Sequence, residues 1–458
     1  MITFEGYNNV IKKVYDHKQN HVFEYWDILK KSEKKDLLDE LAEIDFVQLK
    51  KIYGEKELAI DPNFSPAPCI SIPKTDGERK KYSEAREIGI DHIKKGKVAA
   101  FVVAGGQGSR LGYDGPKGKF PVSPVKNKPL FQIHAEKILK YSKKYGVSIP
   151  FLVMTSKENH TETVDFLKKN KFFGLKKKDV IVFSQNMIPS LNAEGKLILQ
   201  SKNFIFKNPD GHGGSLTALA SSGALAEMKK RGVETISYFQ IDNPLARIVD
   251  PVFIGFHVKQ GADISSKACK KAYPKEKVGV FVVFSNGRTG VVEYSDMPDI
   301  KSELRDEKGE LKFSAGSIAI HLFNREFVER VTAGREISLP FHVAKKKIKS
   351  FHGGKNIEID GFKYEKFVFD ALPLTEKNVV FETIREEEFA PVKNPTGIDS
   401  LVSSRELMVS LNKKWLAEKG IEIPAGVKIL EISPLLAVEP DDLPADVKIP
   451  DKEKVYLE

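Results

Sequence analysis

The 458-residue chain has only two cysteines and no long apolar segment. Cys69 and Cys269 are far apart and neither has a metal-type partner nearby in the sequence, so we predict no disulfide framework and a reducing compartment. The longest purely apolar run, Val98 to Ala104, is far shorter than the ~20 residues that a membrane span requires. The amino terminus also lacks the basic start and apolar run of a signal peptide. We therefore expect a cytoplasmic protein that does not enter a membrane.

An excess of acidic residues is also absent, because Lys and Arg exceed Asp and Glu by 73 − 63 = 10. The lysines are scattered in short runs, such as residues 176–178 and 345–347, and acidic residues are interleaved among them. No basic and aromatic residues alternate along a strand, which argues against a nucleic-acid partner. The pattern is typical of diffuse surface charge, which also suits small substrates that carry phosphates.

The length of the chain predicts two or three domains. We expect a mostly helical amino-terminal region over residues 1–95, a large α/β domain over 96–390 and a small carboxyl-terminal α+β domain over 391–458. Four prolines between residues 61 and 73 predict an extended connector. A helix is expected at Ser404–Lys419, followed by a small β-rich appendage.

Short apolar runs alternate with helical segments in the large domain. Strands are predicted at residues 98–104, 151–154, 180–183 and 236–241, and helices at 130–144 and 215–231. This alternation is typical of a Rossmann-like, doubly wound sheet with helices on both faces. Since ligands bind at the carboxyl ends of strands in such sheets, we expect the chemistry in the loops after Ala104, Phe183 and Ile241.

The first of these loops is rich in glycine and reads Ala104-Gly-Gly-Gln-Gly-Ser-Arg-Leu-Gly. Glycines allow the backbone to approach a ligand, and consecutive N–H groups can bind an anion. The loop has no Walker ending, and Leu111 stands where a dinucleotide-binding loop has its third glycine. A tight structural turn would explain the glycines alone. Arg110 inside the loop and Lys117 shortly after it favour a triphosphate ligand instead.

This loop, together with Pro116-Lys-Gly, resembles the UTP-binding loop of the eukaryotic-type UDP-sugar pyrophosphorylases, and most closely that of the UDP-N-acetylglucosamine branch. Further segments resemble that family in the same order: Phe183-Ser-Gln-Asn-Met-Ile-Pro, Pro209-Asp-Gly-His-Gly-Gly, Phe239-Gln-Ile-Asp-Asn-Pro-Leu, Phe313-Ser-Ala-Gly-Ser and Glu386-Glu-Glu-Phe-Ala-Pro-Val-Lys-Asn. The resemblance implies a Rossmann-like mixed sheet of the nucleotidyltransferase type A kind. It also implies UTP and a sugar 1-phosphate as substrates, and Mg²⁺ as cofactor.

The resemblance further assigns a role to each matching residue. It places three cations at the reacting phosphates, namely Arg110, Lys117 and Lys393, and the metal-binding carboxylate at Asp242. It places the nucleotide against Ala104, Gly105, Gly106, Gln185, Gly211 and His212. It places the sugar against Gly279, Glu293, Ser317, Phe367 and Phe369. Three of these roles have a structural alternative: Gln185 as a satisfied buried amide, Asp242 as a turn or N-cap residue, and the two phenylalanines as core residues at alternate positions of a strand.

The implied reaction transfers a uridylyl group to the sugar 1-phosphate and releases pyrophosphate. The attacking phosphate oxygen is already an anion at pH 7, so the chain needs no catalytic dyad, and we find none. His212 and Ser317 stand where the N-acetylglucosamine enzymes carry asparagine. The alternatives are therefore a UDP-glucose pyrophosphorylase, a broad UDP-sugar enzyme, or a non-catalytic protein that binds nucleotide sugars.

Overall fold

The computed structural model describes residues 1–54, 61–333 and 339–458. The chain groups into two compact units, each made of three segments. Unit 1 comprises Met1–Ala59, Asn186–Gly214 and Ser338–Val368, and unit 2 comprises Ile60–Gln185, Ser215–Ile337 and Phe369–Glu458. Both units are discontinuous in sequence, whereas the three predicted domains are continuous ranges, and the predicted boundaries stay a prediction.

Thirteen α-helices occur in the described ranges. They are α1 (Asn8–Asp16), α2 (Lys31–Ala42), α3 (Phe46–Gly54), α4 (Asp76–Lys94), α5 (Leu130–Tyr145), α6 (His160–Lys169), α7 (Gly214–Ser221), α8 (Ala224–Lys230), α9 (Pro251–Lys259), α10 (Asp299–Glu303), α11 (Arg325–Thr332), α12 (Arg385–Glu388) and α13 (Leu401–Glu418). None of these helices has both the length and the apolar character of a membrane span.

Nineteen strands occur in the same part of the chain. They are β1 (Phe64–Pro66), β2 (Val98–Val103), β3 (Phe151–Thr155), β4 (Val180–Ser184), β5 (Met187–Pro189), β6 (Leu191–Asn192), β7 (Leu199–Ser201), β8 (Phe204–Ile205), β9 (Lys207–Pro209), β10 (Thr235–Gln240), β11 (Ile264–Lys270), β12 (Val280–Phe284), β13 (Thr289–Val292), β14 (Ala315–Asn324), β15 (His342–His352), β16 (Lys355–Glu365), β17 (Asn378–Glu382), β18 (Ile429–Ile432) and β19 (Lys454–Leu457).

Unit 2 contains a ten-stranded mixed sheet in the order β1-β12-β14-β10-β2-β3-β4. Strand β11 pairs with β14 and β17, and β13 pairs with β12. Strands β10, β2, β3 and β4 run parallel, whereas β14 is antiparallel to β10. All six residues of β2 are buried, as expected for an apolar strand covered on both faces. The predicted mixed α/β architecture with a large central sheet is confirmed.

The parallel strands of unit 2 bring three loops to one edge of the sheet. Strand β2 ends at Val103, β4 at Ser184 and β10 at Gln240. Because parallel strands share their carboxyl edge, the glycine loop, Gln185 and Asp242 all follow strands at that edge.

Unit 1 has a separate apolar core. It combines α1–α3 with residues of β5–β8 and the three-stranded sheet β15-β16-β6. Helix α2 contributes Leu37, Leu38 and Leu41, which lie at helical spacing and are almost fully buried.

Local backbone features shift two of the predicted helices. The helix predicted at 215–231 is two helices, α7 and α8, because Gly223 between them adopts a left-handed φ of 78°. Helix α13 begins at Leu401, before the predicted Ser404, because the Ser400 side chain caps it by accepting from the backbone N–H of Ser403. In the predicted β-rich appendage, β18 and β19 form a two-stranded parallel sheet.

Candidate active site

The glycine loop after β2 is held by neighbouring backbone and by one buried side chain. The Asn159 amide donates to the carbonyl of Ala104 at 3.0 Å and to that of Gly106 at 3.5 Å. The backbone N–H of Lys117 donates to the Gly106 carbonyl at 3.0 Å. No heavy atom lies within 4 Å of the position that a Cβ on Gly106 would occupy. The loop is therefore a fixed turn whose Gly106 faces open space.

Gln185 lies against this loop. Its side chain is 8% exposed, and its backbone N–H donates to the Thr155 carbonyl at 2.8 Å. A Cβ on Gly105 would come within 2.6 Å of the Gln185 side-chain oxygen. Position 105 therefore accepts only glycine unless Gln185 moves, and the predicted uracil-reading amide does meet the predicted nucleotide loop.

Asp242 and Lys117 form an ion pair at the carboxyl edge of the sheet. Their Nζ and Oδ2 atoms are 3.3 Å apart, and the two side chains are 17% and 14% exposed. The parallel pairing of β10 with β2 continues past the end of β10, because the Ile241 N–H donates to the Val103 carbonyl at 3.1 Å. Asp242 therefore leaves the sheet beside the loop that leads to Lys117. The N-cap of α9 is Asp250, eight residues later. The Asp242 carboxylate is therefore paired with Lys117, and Asp242 lies in a turn, whereas the N-cap role belongs to Asp250.

Lys393 lies next to the same loop in space, although it is distant in sequence. The backbone N–H of Val392 donates to the Asp242 carbonyl at 2.9 Å, and the N–H of Lys393 donates to the Asp399 carbonyl at 2.7 Å. Loss of hydration raises the pKa of the half-buried Asp399 carboxyl group. The positive charges of Lys393 and Arg385 lower this pKa, and the negative charge of Asp242 raises it further. Charged groups from the Asp242 loop and from residues 385–393 therefore act on the Asp399 carboxyl group.

Arg110 is the predicted phosphate-binding cation that does not join this cluster. It lies on the 3₁₀ helix Ser109–Leu111, is exposed, and makes no hydrogen bond or ion pair within the ranges that the structure describes. The structure thus brings together Gly106, Lys117, Asp242 and the Lys393 segment, while Arg110 stays in the same loop with its guanidinium in solvent.

Three of the predicted sugar-binding residues lie together in unit 2. The Ser317 backbone N–H donates to the Gly279 carbonyl at 2.8 Å. A Cβ on Gly279 would lie 3.0 Å from the Glu293 carboxylate and 2.6 Å from Val291. Strand pairing between Val280 and Gly316 fixes this arrangement. The glycine therefore leaves room for a carboxylate beside a serine, which is a hydrogen-bonding set suited to sugar hydroxyls.

The expectation that Phe367 and Phe369 occupy alternate positions of a strand is wrong. Strand β16 ends at Glu365, and residues Val368–Leu374 form a 3₁₀ helix that contains Phe369. Phe369 is 9% exposed, whereas Phe367 is half-buried. The strand ends here because Lys366 turns back to bond the 210–213 loop through both of its backbone groups.

Gly211, His212 and Phe367 come together in unit 1. The backbone N–H of Val368 donates to Nδ1 of His212 at 3.1 Å, and the His212 ring stacks on Phe367 with a centroid distance of 5.2 Å. Gly211 has φ 82°, and a Cβ there would lie 2.4 Å from the Lys366 carbonyl oxygen. Loss of hydration, reinforced by His342, lowers the pKa of His212 to about 4. His212 is therefore neutral at pH 7.

Several residues that support the site were missed by the sequence reasoning. Helix α5 holds the Asp242 loop, because the His134 ring lies 3.1 Å from the Ile241 carbonyl and Lys137 donates to the carbonyls of Pro244 and Ala246 at 2.6 and 2.9 Å. Burial lowers the pKa of Lys137 to about 7. No local motif marks these helix residues or Asn159, since their contacts are long-range in sequence.

The residues present fit a magnesium ion that is held mainly by substrate. The described ranges contain no group of three or more His, Cys, Asp or Glu residues that could hold a metal. Asp242 supplies one half-buried carboxylate at the phosphate-binding edge. Mg²⁺ commonly binds in this way, through one or two carboxylates, substrate phosphates and water.

The chain is similar to known uridylyltransferases and pyrophosphorylases over most of its length. The family model described as UTP--glucose-1-phosphate uridylyltransferase matches residues 72–428. The chain is 34% identical to "UDP-N-acetylglucosamine diphosphorylase 2" of Arabidopsis thaliana, covering 97% of this chain and 92% of that protein. It is 31% identical to "UDP-N-acetylglucosamine pyrophosphorylase" of Saccharomyces cerevisiae, covering 93% and 94%.

Solved structures show the same fold. The structure is similar to the uridine diphosphate N-acetylglucosamine pyrophosphorylase from Trypanosoma brucei in complex with inhibitor, with a TM-score of 0.81, 28% identity, and coverage of 96% of this chain and 95% of that one. The resemblance predicted from the sequence motifs is confirmed. The chain belongs to the UTP--glucose-1-phosphate uridylyltransferase family.

Proposed function

We propose that this protein is a uridylyltransferase that makes UDP-N-acetylglucosamine and pyrophosphate from UTP and N-acetylglucosamine 1-phosphate. The observation that carries the proposal is the Lys117–Asp242 ion pair at the carboxyl edge of the sheet, beside the segment that ends in Lys393. Relatives that are 31–34% identical over most of the chain carry names that describe this activity.

The chemistry needs positioned charge and no general base. An oxygen of the sugar phosphate attacks the α-phosphate of UTP in line, the new P–O bond forms, and the bond to the β-phosphate bridging oxygen breaks. Lys393 holds the attacking phosphate, and Lys117 and Arg110 neutralise the departing pyrophosphate. The glycine loop at Gly106 leaves space for the triphosphate, and Gln185 reads the uracil edge.

Mg²⁺ is the proposed cofactor, and Asp242 would hold it. A bound Mg²⁺ supplies positive charge that polarises the phosphoryl oxygens. Lys117 neutralises the Asp242 carboxylate at 3.3 Å. The same lysine is then placed to contact phosphates that arrive at this carboxylate.

Two departures from the N-acetylglucosamine pattern leave a second candidate substrate. Ser317 is shorter than the asparagine of the N-acetylglucosamine enzymes, and His212 matches the UDP-glucose branch. A UDP-glucose pyrophosphorylase or a broad UDP-sugar enzyme is therefore the alternative, followed by a non-catalytic nucleotide-sugar binding protein. UTP and a sugar 1-phosphate are the proposed small-molecule partners, and the cytoplasm is the expected compartment.

One assay separates these functions. Purified protein is incubated with UTP, Mg²⁺ and the 1-phosphates of N-acetylglucosamine, N-acetylgalactosamine, glucose or galactose, and pyrophosphate release is measured. The proposal predicts the highest kcat/KM for N-acetylglucosamine 1-phosphate, and the Asp242→Asn variant is the inactive control. A higher kcat/KM for glucose 1-phosphate would favour the alternative enzyme, and no release with any sugar would favour the binding protein.

A further inference from the structure

The segment of residues 388–392 is hydrogen-bonded to the 242–243 loop at regular intervals. The Asn243 side-chain NH₂ donates to the Glu388 carbonyl at 2.6 Å, and its oxygen accepts from the Ala390 N–H at 3.0 Å. The Asp242 carbonyl then accepts from the Val392 N–H at 2.9 Å. Asn243 therefore acts like one residue of a paired strand, with its amide replacing a backbone peptide.

The chemistry of this contact selects asparagine. Residue 243 is 3% exposed, and the Glu388, Ala390 and Val392 positions are at most 1% exposed. A carboxylate of the same size would lose the donor and place its oxygen against the Glu388 carbonyl, and an alanine would leave both buried backbone groups unpaired. The Asn243 amide oxygen also accepts from the backbone N–H of Leu245 at 3.3 Å, which fixes the orientation of the amide.

Residues 388–392 also make contacts away from the Asp242 loop, with Lys267 and Ser404. The fully buried Lys267 donates to the carboxylates of Glu388 at 2.5 Å and Asp250 at 2.6 Å. The Ser404 hydroxyl donates to the Ala390 carbonyl at 2.7 Å. Residues 388–392 are therefore held from both sides, and Lys393 follows directly, with its backbone N–H bonded to the Asp399 carbonyl at 2.7 Å and its Nζ 5.3 Å from the Phe389 ring centroid.

We propose that Asn243 is a positioning residue that sets the separation between the Asp242 carboxylate and the Lys393 ammonium group. This inference rests on the proposed function, in which those two groups hold the two reacting phosphates. The Asn243 side chain follows Asp242 directly and bonds the backbone of the Lys393 segment at two points, whereas Arg247 in the same loop reaches that segment through the Glu387 and Glu388 side chains. Removal of the Asn243 amide leaves the Asp242 and Lys393 charges in the protein but no longer fixes the distance between them. A displacement of about 1 Å can lower the rate about 10²-fold.

The test is a double-mutant cycle between Asn243→Ala and Lys393→Ala, measured as kcat/KM for UDP-sugar formation. We expect Asn243→Ala to lower kcat/KM about 10²-fold in the natural background and less than about 3-fold in the Lys393→Ala background, because it acts through that lysine. KM for the sugar 1-phosphate should rise, whereas UTP affinity measured by calorimetry should stay within about 2-fold, because the glycine loop is untouched.

The matched control is Asn412→Ala. Asn412 is a similarly buried amide in unit 2 that donates to the Leu430 carbonyl at 3.2 Å and contacts none of the predicted site residues in the described ranges. It should lower the thermal midpoint without changing the KM for the sugar phosphate. Asn243→Asp, which keeps the volume, supplies the same cycle if the alanine variant does not fold.

The outcomes separate the two proposals. Absence of turnover in the unmodified protein overturns the proposed function. Turnover in that protein, with losses from Asn243→Ala and Lys393→Ala that multiply, overturns the positioning role. A loss of UTP affinity equal to the loss of kcat/KM in the Asn243 variants also overturns it, since the defect would then lie in the nucleotide site.

Discussion

Removal of the Lys117 ammonium group should change catalysis and magnesium dependence in opposite directions. One preorganised charge at a developing anion contributes about 3–4 kcal/mol to barrier lowering, so Lys117→Ala should lower kcat by about 10²–10³. The same substitution leaves the Asp242 carboxylate, 14% exposed, without its partner at 3.3 Å. Two unit charges at that distance interact by about 5 kcal/mol at an effective dielectric constant of about 20. Mg²⁺, which we propose that Asp242 holds, would then no longer compete with the lysine.

The assay is pyrophosphate release at saturating UTP and sugar phosphate over a range of Mg²⁺ concentrations. We expect a lower kcat together with a several-fold lower half-saturating Mg²⁺ concentration. Lys119→Ala is the matched control, because Lys119 lies on the same 3₁₀ helix but pairs with Glu162. It should change neither quantity by more than about 3-fold, as is usual for a partly exposed ion pair. Turnover of the Lys117→Ala variant within about 3-fold of the unmodified protein would refute the reasoning.

Four further substitutions test other parts of the protein. Gly106→Ala should keep its thermal midpoint, because open space surrounds the new Cβ, yet weaken UTP binding by about 10-fold or more. Gly105→Ala should lower both the thermal midpoint and the UTP affinity, because its Cβ would lie 2.6 Å from the Gln185 amide that we assign to uracil. Normal UTP affinity in Gly106→Ala would contradict the phosphate-cradle role. Gly279→Ala should displace Glu293, whose carboxylate would lie 3.0 Å from the new Cβ, and should raise KM for the sugar phosphate while KM for UTP is unchanged; an equal rise in both would be evidence against a sugar subsite. Burial raises the pKa of Asp210 to about 7, so the carboxyl group takes up a proton on folding at pH values between about 4 and 7. The free energy of unfolding should therefore fall as the pH rises through this range. Asp210→Asn should restore up to about 4 kcal/mol of that free energy at pH 8. Parallel stability–pH curves for the two proteins, measured by thermal unfolding, would contradict that assignment.

The parts of the fold that the sequence predicted well are those that depend on local pattern. The apolar run at residues 98–104 forms β2, and the glycine after the helical segment at 130–144 caps α5 in a left-handed conformation. Both patterns report burial and backbone freedom, which are properties of a few neighbouring residues. The single helix expected at 215–231 was wrong because Gly223, which we read as part of that helix, marks its interruption.

The parts that could not be predicted depend on contacts between distant segments. The motif residues Lys117 and Asp242 were assigned from the resemblance, but no periodicity predicts that their side chains form an ion pair. Asn243 was visible beside Asp242 in the sequence, and its role stayed hidden because its partners lie about 145 residues away. The prediction that Phe367 and Phe369 lie at alternate positions of a strand was wrong for the same reason. Lys366 ends the strand through backbone hydrogen bonds to a loop more than 150 positions earlier in the sequence.

The position of Asp242 explains how three separate stretches of sequence come together at one edge of the sheet. Its side chain contacts Lys117, which follows β2, while its carbonyl contacts Val392, which precedes Lys393. Strand β10, which leads to Asp242, pairs in parallel with β2, so both loops leave the sheet at the same edge. The third segment has no strand of that parallel set, and it reaches the edge through the Asp242–Asn243 backbone and amide bonds. The two lysines are therefore positioned by different means: Lys117 by its backbone bond to the loop that follows β2, and the Lys393 segment by hydrogen bonds to the Asp242–Asn243 loop that follows β10.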